Sequence, residues 1–205
     1  MLKIFGKEID TAKSEVLFDV PFTDENLARY YDICKPKWAI ENDWLAGKNY
    51  GIILTKEDFY GDILIEFEAR TILPSTHDII FVFNAAWDSA NNQHKTGYIG
   101  GIEGWFESKA GIEKAPDWKL LALTPLFDFK PGQTYFIQAG NIQGHIFLFI
   151  DDKLIIETID HDPIDTTKYG KVGFDTYDSY AQYRNLKIMR PKWKKIEYEY
   201  QPENY

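Results

Sequence analysis

The segment Gly97-Tyr98-Ile99-Gly100-Gly101-Ile102-Glu103-Gly104-Trp105-Phe106-Glu107 carries the densest chemistry in the chain. On a continuous strand alternate side chains share a face, so Glu103, Trp105 and Glu107 form one row. The glycines at 100, 101 and 104 leave room beside that row, as glycine does where a ligand or another backbone comes close. A carboxylate, an indole and a carboxylate beside open space suit a sugar, whose C–H faces stack on aromatic rings while its hydroxyls seek carboxylates and amides. The same residues fit equally a bulged strand whose Trp105 packs under a loop. A second stretch, Asn84-Ala85-Ala86-Trp87-Asp88-Ser89-Ala90-Asn91-Asn92-Gln93-His94, sets Trp87 among Asn84, Asp88 and other amides. It reads either as sugar-binding or as a solvated loop anchored by one buried indole. Tyr98 and Trp118 are further stacking candidates, with Trp118 flanking the groove or plugging the core.

As catalysts Glu103 and Glu107 meet a geometric obstacle. Residues four apart on a strand have Cα atoms ~13 Å apart. Retaining glycosidases hold their carboxyls ~5 Å apart and inverting ones ~6.5–9.5 Å, so the pair needs a bulge to act. Glu66 and Glu68 are nearer each other but alternate with Arg70 on a polar strand face. His77, His94, His145 and His161 are scattered, and no His or Cys pair has zinc-ligand spacing. Asp160-His161-Asp162-Pro163-Ile164-Asp165 offers alternating oxygens that would suit a structural calcium, but without the glycine and spacing of an EF-hand it reads as a polar loop. No cofactor is expected.

The elements that must position these residues are strands. Asp62-Ile63-Leu64-Ile65-Glu66-Phe67-Glu68-Ala69-Arg70 places Ile63, Ile65, Phe67 and Ala69 on one face and Glu66, Glu68 and Arg70 on the other. In 78–87, Phe81, Phe83, Ala85 and Trp87 fall on one face, and Val82, Asn84 and Ala86 on the other. Further strands are expected at 16–20, 51–55, 97–107, 134–139, 145–151, 154–159, 171–177 and 183–189, between Gly, Pro, Asn and Asp clusters. Asp151-Asp152-Lys153 marks a tight hairpin. Helical turns are expected only at 24–32 and around 56–59. So many short antiparallel strands must hide their edges, and a two-sheet jelly-roll sandwich does so at this length. Residues 1–190 are read as one all-β domain with little helix, and 191–205 as an extension. In that extension Ile196, Tyr198 and Tyr200 alternate with Glu197 and Glu199, which suits an edge strand, a homodimer contact or a frayed tail.

Composition narrows the partners. A chain of 205 residues with 44% hydrophobic and 27% charged side chains supports one core. The net charge of −9 has the wrong sign for a nucleic-acid backbone or an anionic membrane. The single cysteine, Cys34, forms no internal disulfide. The N-terminal Met1-Leu2-Lys3-Ile4-Phe5-Gly6-Lys7-Glu8 reaches charges too soon to supply the apolar stretch of a secretory leader, and the longest apolar runs, 79–83 and 146–150, span five residues, so the chain reads as cytoplasmic with no membrane partner. With 14 Phe, 13 Tyr and 6 Trp, the aromatic share of 16% exceeds what a small core needs, which places some rings at the surface.

Several stretches resemble the concanavalin A-like lectin/glucanase superfamily, particularly its bacterial branches. They are Trp38-Ala39-Ile40-Glu41-Asn42-Asp43-Trp44-Leu45, Gly51-Ile52-Ile53-Leu54-Thr55-Lys56 and Phe59-Tyr60-Gly61-Asp62 running into Ile65-Glu66-Phe67-Glu68-Ala69-Arg70. Towards the C-terminus they are Asp151-Asp152-Lys153-Leu154, Tyr169-Gly170-Lys171-Val172-Gly173-Phe174 and Tyr183-Arg184-Asn185-Leu186-Lys187-Ile188. The resemblance covers residues 16–190 and implies two curved antiparallel sheets with a hollow face that binds an oligo- or polysaccharide in relatives. Laminarinase-type members use a Glu-x-Asp-x-Glu strand, first carboxylate as nucleophile and last as acid/base. The nearest row here, Glu103 to Glu107, has Trp105 where the central Asp would stand. Gln143-Gly144-His145 and the Tyr135 strand resemble elements of a polysaccharide lyase family whose Arg-bearing strand is missing here. The expectation is a carbohydrate-binding protein. The alternatives are a glycoside hydrolase or lyase with a non-standard carboxylate pair, and an accessory module that binds another protein.

Overall fold

The computed structural model describes residues 1–104, 109–125 and 127–197. The chain runs through β1 (Leu2–Ile4), β2 (Lys7–Ile9), a 3-10 turn (Thr11–Lys13), β3 (Glu15–Asp19), α1 (Asp24–Tyr30), β4 (Tyr31–Lys35), β5 (Trp38–Glu41) and β6 (Trp44–Thr55). It continues through β7 (Ile63–Thr71), β8 (Ile79–Asp88), β9 (Gln93–Ile102), β10 (Ala110–Ala115), β11 (Lys119–Thr124) and β12 (Tyr135–Ile142). The last strands are β13 (His145–Ile150), β14 (Lys153–Ile159), β15 (Lys171–Arg190) and β16 (Trp193–Lys195). The helix α1 starts where Thr23 accepts a hydrogen bond from the Asn26 amide, with Asp24 and Glu25 in its first turn. Residues 56–59, expected as a helical turn, bend without forming one. Among the described residues no helix is long and apolar enough to cross a membrane.

Strand β15 organises the two layers. Its first half pairs with β6 through Gly173–Leu54 and Asp175–Ile52, and on its other edge with β8 through Gly173–Val82 and Asp175–Ile80. Its second half keeps β6 on the first edge but exchanges β8 for β7, through Ala181–Thr71 and Tyr183–Ala69. The exchange falls at a register shift between Thr176 and Ser179, where Asp178 has a φ of 51°. Bulges of this kind let one strand turn the corner between packed sheets. The front layer is therefore β4-β6-β15-β8-β9-β10-β11, and the back layer carries β15-β7-β12-β13-β14 with β3 and β5 at its margin. Every pairing is antiparallel. The architecture is the expected jelly-roll sandwich.

The core lies between the layers. Ile63, Ile65, Phe67 and Ala69 of β7 point into it, as their alternation predicts. There Phe67 meets Phe81 and Phe174, and Phe174 stacks on Tyr183 at 4.1 Å between centroids. The aromatic surplus is thus largely an interior feature: Tyr98, Tyr135, Tyr183, Phe67, Phe81, Phe83, Phe147 and Phe174 are fully buried. Gly100 shares this interior. A Cβ there would stand 2.2 Å from the Phe81 ring, so the glycine makes room for a core side chain.

A second, smaller sheet, β1-β2-β16, covers the outer face of the back layer. It buries Leu2, Ile4 and Ile9 against Leu64, Phe147, Phe149 and Met189, and the Trp193 indole donates to Asp62. Residues 193–195 of the extension therefore pair with β2 of their own chain, whereas Tyr198 and Tyr200 lie outside the described residues. In the 160–165 loop the Asp160 carboxylate accepts from Tyr98 and Lys114, and that of Asp165 faces Thr167 and Lys168.

The shared strand leaves no room near its start. A Cβ on Gly173 would sit 1.9 Å from the Ile53 carbonyl oxygen, a backbone atom that cannot rotate away. Gly173→Ala is expected to lower the unfolding free energy by ~2–3 kcal/mol through overpacking. Urea denaturation checks this, and a loss under ~0.5 kcal/mol would show that the strands separate freely.

Candidate functional site

The site arises from a bulge. Along β8, Phe81 and Phe83 face the core while Ile80 and Val82 face outward. Asn84 then adopts a φ of 47°, and the register with β9 shifts between Phe83 and Ala86. The extra residue reverses the alternation, so Ala85 joins the face of Val82 and Trp87 packs there too. The expected face of Phe81, Phe83, Ala85 and Trp87 is thus split in two.

The same bulges turn the hairpin end over the front layer. His94 pairs with Trp87 near the hairpin tip, whereas Asp175 pairs with Ile80. In an extended strand Ile80 and Trp87 would be ~23 Å apart. Yet His94 Nε2 lies 2.8 Å from Asp175 Oδ2. The β8–β9 hairpin must curl back across the outward face of its own sheet to make this contact. Its imidazole meets Trp87 edge-on at 5.5 Å and Trp118, from the β10–β11 turn, edge-on at 6.3 Å.

Beneath this overhang lies a cavity of about 340 Å³. Its apolar floor is Ile52, Ile80 and Ile99, its aromatic walls are Tyr50, Trp118 and Tyr177, and its acids are Asp78, Glu113 and Asp175. Trp118 is 48% exposed, whereas Asp78, His94, Glu113 and Asp175 are buried. Asp78 sits at a φ of 80°, a strained conformation for a residue with a side chain. Its carboxylate accepts from the Tyr177 amide at 2.6 Å and the Ser179 hydroxyl at 3.1 Å. Burial, reinforced by the neighbouring Asp175, nevertheless outweighs those bonds and pushes its pKa up to about 6. Burial also raises that of Glu113. Among the described residues, Glu113 Oε2, Asp175 Oδ1 and His94 Nδ1 are buried without a hydrogen-bond partner.

The sequence-predicted residues scatter around this cavity. Trp118 lines it. Trp87 lies behind His94 and lines a separate hollow beside Cys34. Asp88 is spent on its own turn, accepting from the Ala90 and Asn91 amides. Asn84 is buried and accepts from Asn141 of the opposite layer, and Tyr98 is buried with its hydroxyl between Asp160 and the Ile164 amide. Neither reaches the cavity, because the bulge and the β9 alternation turn them inward. The expected continuous strand through 107 also stops early. β9 ends at Ile102, and Glu103, at a φ of 53°, opens a turn whose amide donates to the Lys109 carbonyl. Its neighbour Gly104 lines the cavity, while Trp105 and Glu107 lie outside the described residues. Glu66 and Glu68 are on the back layer, bonded to Gln138 and to Arg184 and Asn185. His145, of the lyase-like segment, packs against Lys7 beneath the small sheet. Asp78, Glu113 and Asp175 are not among the site residues expected from sequence, and His94 enters there only as the end of the Asn84 to His94 stretch and among the scattered histidines. For Asp175 the sequence signal is an ionisable group inside an apolar strand, Val172-Gly173-Phe174-Asp175.

An acid that the fold prefers protonated weakens the fold when ionised. The folded pKa of Asp78, about 6, exceeds the ordinary 3.8, so its cost is present above pH 6 and vanishes as the pH falls below 4. Asp78→Asn is expected to stabilise the protein by ~1–3 kcal/mol at about pH 8 and by nothing near pH 4. Denaturant midpoints at the two pH values check this, and an equal effect at both would contradict it.

No protein-family model matches the chain, and no curated protein matches it in sequence. Solved structures do share its architecture. A Bacillus subtilis protein of unknown function with a galectin-like fold superposes with a TM-score of 0.71 at 14% identity, over 90% of this chain and 99% of the other. A carbohydrate-binding module from Bacillus subtilis gives 0.64 at 14% identity, over 78% of this chain and 94% of the other. β-Agarase B from Zobellia galactanivorans gives 0.61 at 11% identity, over 91% and 95%. At these identities the likeness is one of fold alone, an antiparallel jelly-roll sandwich.

Proposed function

We propose that this chain binds an oligo- or polysaccharide in the cavity beneath the curled β8–β9 hairpin. The observation that carries the reading is Trp118: an indole left 48% exposed on the wall of a cavity that also holds three buried acids. An apolar platform beside a few convergent polar groups is the general form of a small-ligand site, and the pairing of ring faces with carboxylates suits a pyranose. The fold shared with a carbohydrate-binding module is in keeping with this. Of the row expected to form the groove, Glu103 precedes the lining residue Gly104, while Trp105 and Glu107 lie outside the described residues. Stacking and hydrogen bonds in a single small cavity give dissociation constants of ~10 μM to 1 mM. Titration with cell-wall oligosaccharides is expected to quench tryptophan fluorescence, and Trp118→Ala to remove the response and weaken binding ~10-fold or more. Absence of any response at millimolar saccharide would reject the reading.

A second reading, glycoside hydrolysis, is favoured by one observation. Asp78 and Asp175 line one cavity, and the charge of Asp175 adds to burial in raising the pKa of Asp78, so a protonatable acid and a second carboxylate share the hollow, as glycoside hydrolysis requires. Asp78, with its raised pKa, would serve as the acid, and Asp175, oriented by His94, as the base. Reducing-end release from a polysaccharide panel is then expected to fall ~100-fold or more in both Asp78→Asn and Asp175→Asn. No release by the unaltered protein would reject hydrolysis and leave binding intact.

A further inference from the structure

Two of the unpaired atoms around the cavity, Glu113 Oε2 and Asp175 Oδ1, are carboxylate oxygens, and a third, His94 Nδ1, also lacks a partner; each belongs to a residue more than nine-tenths buried. Three strands bring them to one hollow: Glu113 from β10, Asp175 from β15 and His94 from β9. The acceptors already paired there add to the excess, since the Asp78 carboxylate takes its donors from Tyr177 and Ser179 at the edge of the hollow. Among the described residues no lysine or arginine lines it. Lys35, which packs its ammonium 3.7 Å above the Tyr50 ring, is not among the lining residues.

A buried acceptor without a donor costs about 1–3 kcal/mol, and more when charged. A ligand recovers that cost according to the donors it brings. A hydroxyl supplies one donor and carries two lone pairs, one or both of which would face further acceptors. An ammonium supplies three donors and no acceptor, with a positive charge that the carboxylates stabilise in a water-poor setting. A carboxylated or sulfated sugar would bring only more acceptors and like charge. The aromatic walls add a ring platform and, for a cation, attraction to the indole face of Trp118.

We propose that the cavity selects a sugar bearing a free, protonated amine, with the ammonium held by Glu113 and Asp175. The selection rests on the carbohydrate reading above and narrows it to the amino-sugar class. His94 acts as a positioning residue: its Nε2 fixes Asp175 Oδ2 at 2.8 Å and so turns Oδ1 to the ligand.

The test compares three tetrasaccharides on the full chain by calorimetry at about pH 6.5, where the amine is protonated. They are the tetramer of glucosamine, the same tetramer N-acetylated, and cellotetraose. The glucosamine tetramer is expected to bind ~10-fold or more tightly than cellotetraose, and N-acetylation to abolish the difference, because it removes both the charge and two donors. In Glu113→Gln the ratio of the two affinities is expected to fall toward one. If Glu113→Gln does not fold, the acetylated ligand decides on its own. Equal or tighter binding of cellotetraose by the unaltered protein would overturn amine selection while leaving saccharide binding in place. Failure of all three tetramers, and of the wider oligosaccharide panel, would overturn both.

Discussion

Strand β15 must serve two sheets at once, and much of the molecule follows from that demand. Its first half carries β6 and β8, and its second half β6 and β7. A strand can change partners on one edge only if its backbone bends. The bend falls between Thr176 and Ser179, next to Asp175 and Tyr177, which line the cavity that the β8–β9 hairpin covers.

The hollow so formed is a place where the structure accepts a cost. Elsewhere acids find partners: buried Asp160 has Lys114 and Tyr98, and half-buried Glu68 has Arg184 and Asn185. Around the cavity Asp78 is strained and pushed toward protonation, and Glu113 lacks any partner for one oxygen. Stability alone would replace such groups with apolar ones of similar volume. Their concentration beneath an exposed indole, with no lysine or arginine among the described lining residues, is what the proposed ligand site rests on.

The contrast between β7 and β8 shows what could be read in advance. In β7 apolar and polar residues alternate without interruption, and the period of two predicts both faces correctly. In β8 the same rule works up to Phe83 and then fails, because Asn84 inserts one residue and reverses every side chain after it. Asparagine tolerates the left-handed conformation, but the chain contains many asparagines, and nothing local marks this one as the bulge. The error carries into the site. Asn84 turns inward to Asn141, Trp87 moves behind His94, and Tyr98 takes a core position across from Phe83.

By itself the sequence determined the class of fold and much of the strand pattern, because periodicity and turn chemistry are local properties of the chain. It also marked Trp118 as a ring with two readings, in the core or at a groove. Only the tertiary structure decided which acids share a cavity. Glu113, Asp175 and His94 stand on three strands, and Asp175 and His94 are separated by 81 positions. Their meeting depends on how far a bulged hairpin curls over a bent sheet, an outcome summed over many residues that no single stretch of chain encodes.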